Sequence, residues 1–188
     1  MQDWKLVEKA VELLLESLHL KGQGFEGTPE RVARMWKEFL DIELPNPTIC
    51  KTNEEVDLVM FRNHTFWSFC PHHLLPVKYN LTVGYIPNKG MVLGASKPLR
   101  ILNWVTASLP LQEDIPGMIC KEIEHTLNPA GTGCIVQGEH LCMRMRGVKS
   151  PCSDMITPLV QIIKEVKNKE KVIGQGRQCF SFAFQGVI

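Results

Sequence analysis

The sequence predicts an α+β fold: two N-terminal helices, then a largely antiparallel sheet carrying a helical pair on one face. Three observations predict it. Apolar residues recur at helical spacing over residues 3–41, the period falls to two from Val77 onward, and two helical stretches bounded by prolines interrupt the strand-like segments. The 188 residues suffice for one sizeable core.

The first helix is expected over residues 3–20, where Leu6, Val7, Ala10, Val11, Leu13, Leu14, Leu15 and Leu18 give one buried face. A Gly-bearing loop follows at 21–27. Thr28 is the expected cap of the second helix, with Pro29 in its first turn and Glu30 at the positive end of its dipole; Val32, Ala33, Met35, Trp36 and Leu40 form the apolar stripe to about Asp41. Prolines over 44–51 break regular structure, which suggests a helical segment at 1–50 and an α+β domain at 51–188. Val77, Tyr79, Leu81, Val83 and Tyr85 alternate with Lys78, Asn80, Thr82 and Gly84, the pattern of a strand with one face buried. The turn at 87–90 leads to a short partner strand at 91–93. Residues 98–108 and 111–127 read as helices separated by Pro110, with Pro116 and Gly117 weakening the start of the second. A strand at 133–147, a helix at 154–167 and a last strand at 178–184 complete the plan. The open edges of so small a sheet are surfaces an oligomer could close.

Composition narrows the function classes. Apolar residues make up 44% and charged residues 22%, and 21 Lys and Arg against 20 Asp and Glu leave a net charge of +1, too little positive charge for a general binder of nucleic acid. The N-terminus lacks a basic segment followed by an apolar one, and no apolar run approaches about 18 residues, so a cytoplasmic protein without membrane association is expected. The seven scattered cysteines are then core fillers or metal ligands rather than a disulfide framework.

The densest group of potential ligands is Cys70-Pro71-His72-His73, just ahead of the strand beginning near Val77. A second is Glu139-His140-Leu141-Cys142-Met143-Arg144-Met145-Arg146. Read as a continuing strand, it puts His140, Cys142, Arg144 and Arg146 on one face and Leu141, Met143 and Met145 on the other. No Cys-x-x-Cys pair occurs, which argues against a four-ligand structural zinc site and for a three-ligand catalytic one. Spacing leaves open which histidine binds metal and which moves protons.

These segments, with Thr28-Pro29-Glu30-Arg31-Val32-Ala33-Arg34-Met35, Gly94-Ala95-Ser96-Lys97-Pro98-Leu99-Arg100 and Gln112-Glu113, resemble GTP cyclohydrolase I in order from about Val7 to Gly147. The resemblance implies a T-fold-like subunit in a ring-shaped homo-oligomer, usually a decamer, with a zinc ion held by Cys70, His73 and Cys142. It implies His72 and His140 as unligated acid/base groups, and Gln112 and Glu113 as the residues holding guanine. Ser96, Lys97, Arg100, Arg146, Arg31 and Arg34 would meet the triphosphate. The charges suit the task, because no Walker glycine loop is present to bind phosphate through backbone amides.

The implied reaction is hydrolysis of GTP at C8 to formate and 7,8-dihydroneopterin triphosphate. Two departures stand out: Pro71 replaces an acidic residue common in the family, and residues 148–154 lack the expected Ser/Thr-rich run. A truncated reaction, a deoxyribonucleotide substrate, or a non-catalytic zinc protein that binds purine or pterin are the alternatives.

Overall fold

The computed structural model describes residues 2–44, 46–150 and 154–162. The chain divides into two compact units, Met1–Glu43 and Leu44–Ile188.

The first unit is a helical hairpin. Helix α1 (Trp4–Ser17) starts at Asp3, whose carboxylate accepts from the Leu6 amide at 3.1 Å. Helix α2 (Thr28–Leu40) begins at its expected cap residue: Gly27, at φ +67°, takes the cap position, and Thr28 Oγ1 instead accepts from the Arg31 guanidinium at 2.9 Å. Only a residue tolerant of the left-handed region turns the chain so sharply into the helix, and glycine does so without steric cost.

The second unit holds strands β1 (Ile49–Lys51), β2 (Val59–Phe69), β3 (Pro76–Ile86) and β4 (Met91–Leu93), helices α3 (Lys97–Thr106) and α4 (Ile115–Leu127), strand β5 (Gly131–His140), the short helix α5 (Leu141–Arg144) and strand β6 (Met155–Ile162). Strands β2, β3, β5 and β6 form an antiparallel sheet in that order, while β1 and β4 form a separate antiparallel pair. Helices α3 and α4 pack together, α3 against β2 and α4 against β5 and β6. Val77, Tyr79, Leu81, Val83 and Tyr85 of β3 are almost wholly buried and share a core with Ile101, Leu102 and Val105 of α3 and with Ile115, Ile119 and Ile123 of α4. Each such large apolar side chain contributes about 1.5–3 kcal/mol by leaving water. The buried Tyr85 hydroxyl accepts from the Leu93 amide at 2.8 Å, tying β4 to the sheet.

Several expectations are corrected. The strand expected over 133–147 stops at His140, where Leu141, Cys142, Met143 and Arg144 turn into α5 and the Met145 amide donates to the Leu141 carbonyl at 2.9 Å. Good helix formers favour that turn, and the Arg144 guanidinium closes it on Glu139 at 2.7 Å. In a continuing strand those two residues would lie about 17 Å apart. The helix expected over 154–167 is strand β6 within the described residues: Ile156, Thr157 and Val160 are β-branched and pair against β5. Pro158 is tolerated because β6 pairs with β5 alone among the described residues. Regular structure does occur inside 44–51, as β1, and β4 pairs with β1 rather than returning along β3. Strand β2, absent from the sequence reading, pairs along β3 with a register shift between Phe61 and His64. The expected strand at 178–184 lies outside the described residues.

Candidate metal centre

Strand register explains why segments far apart in sequence meet. Phe69 is opposite Pro76 at the end of the β2–β3 hairpin, and Val77 is opposite His140 at the end of β5. The hairpin loop and the β5–α5 turn therefore lie at the same end of the sheet.

The loop is tight. The Cys70 amide donates to the Leu75 carbonyl at 2.9 Å, the Leu74 amide donates to the Cys70 carbonyl at 2.8 Å, and Leu74 takes a left-handed conformation at φ +51°. Cys70 is thereby turned into the protein, 2% exposed, while His72 and His73 remain exposed. On the other side, α5 presents Cys142, also buried.

Cys70 Sγ, Cys142 Sγ and an imidazole nitrogen of His140 lie within 4.8 Å of one another, a group suited to a metal ion. Burial, and then the neighbouring Cys70 sulfur, push the Cys142 thiol above its ordinary range, with Arg146 pulling the other way. A cation between the sulfurs would offset both effects by favouring thiolates. His72 Nδ1 is 3.6 Å from Cys70 Sγ, and the His72 and His73 rings are 6.4 Å apart.

His140 is held on two sides. Its ring meets the Tyr79 ring edge-on at a 6.1 Å centroid distance, and its Nε2 is 2.8 Å from Gln112 Oε1. Burial is the main influence lowering its basicity; Glu113 opposes that effect and His72 adds to it. Glu113, exposed beside buried Gln112, also acts on Tyr79, whose hydroxyl is driven up chiefly by burial and then by the Cys70, Glu113 and Cys142 charges.

Cys70, Cys142, His140, His72, Gln112, Glu113 and Arg146 thus belong to one neighbourhood. His73 lies outside the three-residue group. Ser96, Lys97 and Arg100 stand together at the start of α3, with Ser96 and Arg100 exposed and Lys97 half-buried. Arg31 and Arg34 are exposed on α2 in the first unit.

The sequence carries no site signal for Tyr79 or Asp154, and it does not show that Glu139 and Arg144, both in the His140 segment, pair with each other. Arg144 reaches Glu139 at 2.7 Å and Asp154 at 3.5 Å, and Asp154 accepts from Gln137 Nε2 at 3.0 Å. The placement of Glu139 and Arg144 within the His140 segment was the available signal for these ion pairs.

The donor set fits zinc. Two sulfurs and one imidazole are the borderline-soft ligands that ion accepts, and three protein ligands leave a coordination position for reactant.

Comparison with known proteins follows the same line. Residues 7–175 match the family model of GTP cyclohydrolase I. A protein named GTP cyclohydrolase 1 from Pelotomaculum thermopropionicum is 38% identical over 167 residues, covering 86% of this chain and 89% of the relative. The one from Desulforamulus reducens is 39% identical with the same coverage, and that from Aquifex aeolicus is 35% identical over 179 residues, 91% of this chain and 95% of the relative. Among solved structures, the archaeosine synthase QueF-Like in its apo form is similar at a TM-score of 0.45 and 16% identity, over 60% of this chain and 100% of that one.

Proposed function

The chain belongs to the GTP cyclohydrolase I family, and from that premise we propose that it hydrolyses GTP at C8, releasing formate and forming 7,8-dihydroneopterin triphosphate. The observation that carries this reading is the gathering of Cys70, His140 and Cys142 at one end of the sheet, with Glu113 acting on His140.

Cys70 and Cys142 would hold zinc with one imidazole; the family resemblance implies His73, and the geometry offers His140. When bound, zinc supplies a nucleophilic water at neutral pH by lowering its pKa from about 15.7 to about 7. Glu113 is suited to accept two parallel N–H donors from the guanine edge, fixing the base against the site. His72, and His140 where His73 supplies the ligating imidazole, would move protons to and from the purine nitrogens as the ring opens. Ser96, Lys97, Arg100 and Arg146 would bind the triphosphate through side chains.

Family membership supports a ring-shaped homo-oligomer, usually a decamer, as the assembly, to be checked by light scattering. No helix among the described residues is long and apolar enough to cross a membrane, and a cytosolic setting suits a nucleoside triphosphate substrate.

The decisive experiment is incubation of zinc-loaded protein with GTP while following formate and a pterin absorbance. Both products should appear in equal amounts. Formate without the pterin would identify a truncated reaction, and neither product would refute the assignment.

A further inference from the structure

Gln112 is 3% exposed, and both ends of its carboxamide are engaged by the protein. Its Nε2 donates to the Met155 carbonyl at 2.7 Å and to the Val136 carbonyl at 3.3 Å, with Thr157 Oγ1 at 3.4 Å. Carbonyl oxygens only accept, so the nitrogen must face them and Oε1 must face His140. Amide orientation, usually ambiguous, is fixed here by its partners. An amide oxygen cannot donate, so the 2.8 Å contact requires that His140 Nε2 carry the hydrogen.

The pocket is shaped around this arrangement. A Cβ on Gly138 would collide with Gln112 Oε1 and lie 2.9 Å from Tyr79 Cε1, so the absent side chain at 138 is what admits the carboxamide. Tyr79 is directly opposite Gly138 in the sheet and meets the imidazole edge-on. Ring orientation and tautomer are therefore set by neighbours on β3, β5 and β6.

We infer that Gln112 is a positioning residue for His140: its carboxamide, oriented by the Met155 and Val136 carbonyls, fixes the ring with a hydrogen on Nε2, so that Nδ1 is the nitrogen left for ligation or proton exchange. This rests on the proposed reaction and gives Gln112 a role different from the guanine contact implied by resemblance. The oxygen that would accept from guanine already accepts from His140. Glu113, exposed next door, is left as the residue for the base.

Two measurements test it. In zinc-free wild-type protein labelled with ¹⁵N-histidine, the His140 Nε2 should carry a hydrogen whether or not Nδ1 does; an unprotonated Nε2 overturns the inference, whatever the enzyme does with GTP. In zinc-loaded protein, Gln112→Met keeps the volume but removes the acceptor, and should lower kcat about 10- to 100-fold, the effect typical of losing an outer hydrogen-bond partner, with KM for GTP within about twofold. A raised KM at unchanged kcat would place Gln112 on the substrate, and an unchanged kcat and KM would leave it no role; either overturns the inference. Gly138→Ala, which displaces the carboxamide from outside, should reproduce the Gln112→Met phenotype and serves if that variant does not fold. Wild-type protein that releases no formate from GTP would count against the proposed reaction alone, since the ring-nitrogen measurement stands apart from turnover.

Discussion

Arg144→Met is the sharpest probe of how the metal centre is held. The guanidinium bridges Glu139 Oε1 at 2.7 Å and Asp154 Oδ1 at 3.5 Å, across the turn that carries Cys142. All three side chains are about one-third exposed, so solvent screens the pairs and each contributes less than about 1 kcal/mol to stability. Met keeps most of the aliphatic stem, so the total loss should be about 1 kcal/mol. Without the bridge, two carboxylates face each other and α5 loses its tie to β5. A partner hydrogen-bonded directly to a metal ligand is typically worth about 10- to 100-fold in metal affinity, and loss of Arg144, which acts on Cys142 only through the turn, should cost up to about 10-fold. Competition with a chromophoric chelator reads the zinc affinity, and chemical denaturation of the zinc-free protein reads the stability. Arg144→Lys, which retains charge but lacks the planar fork, should fall between wild type and Met. Zinc affinity equal to wild type in a folded Arg144→Met protein would refute the idea that this bridge positions Cys142. So would a stability loss of several kcal/mol, which belongs to a buried network rather than a screened one.

Cys142→Ala should lose zinc retention and formate release together, and activity persisting in zinc-free protein would contradict a metal-dependent reaction. Burial raises the Cys120 thiol to about 11 and the Cys134 thiol well above its usual range, whereas Cys50 is exposed. At pH 8 only about one part in a thousand of a thiol with that Cys120 value is thiolate, so mass-spectrometric mapping of native alkylation should find Cys50 modified before Cys120 and Cys134; equal labelling of these three would contradict the packing. Reactivity of Cys120 should climb about tenfold per pH unit toward its raised value, since only the thiolate attacks. Ile123→Ala, at a fully buried position between α4 and the sheet, should cost about 2–5 kcal/mol by denaturant titration, and a loss below about 1 kcal/mol would mean that the cavity collapses freely.

The parts of the fold visible in the sequence are those where one physical signal dominates. Strand β3 is legible because Val77, Tyr79, Leu81, Val83 and Tyr85 alternate in sequence and face two helices, although Thr82 and Gly84 on the other face are buried as well, and α2, α3 and α4 carry helical apolar spacing with proline near their starts. Strand β6 misleads because Met155, Leu159 and Ile162 also fit a helical stripe; pairing with β5 decides the matter, and that partner lies outside any local window. Strand β2 is hard to read because a shift at Phe61/His64 disrupts the alternation and charged or polar residues occupy Arg62 and Asn63. Gln112 shows the same limit at the site. Gln112-Glu113 reads as one polar pair, yet packing sends the first side chain inward to three strand partners and leaves the second in solvent.

The residues of the centre were legible by type, while their meeting depends on register. A Cys-x-His-His loop and a His-x-Cys segment signal metal chemistry through composition alone, but sharing one face of a strand would have spread His140, Cys142, Arg144 and Arg146 along an edge. The turn after His140 gathers them instead. With Val77 opposite His140 and Tyr79 opposite Gly138, the imidazole reaches both the sulfurs and the Gln112 oxygen. A slip of one residue between β3 and β5 would send His140 to the other face and put the side chain of Glu139 or Gln137 where the carboxamide now sits above Gly138. The buried alternation of β3, with five side chains locked against α3 and α4, opposes that slip. Core packing and the grouping of Cys70, His140 and Cys142 are therefore set by the same register, and substitutions that loosen the β3 core should reduce metal affinity even when they lie far from either sulfur.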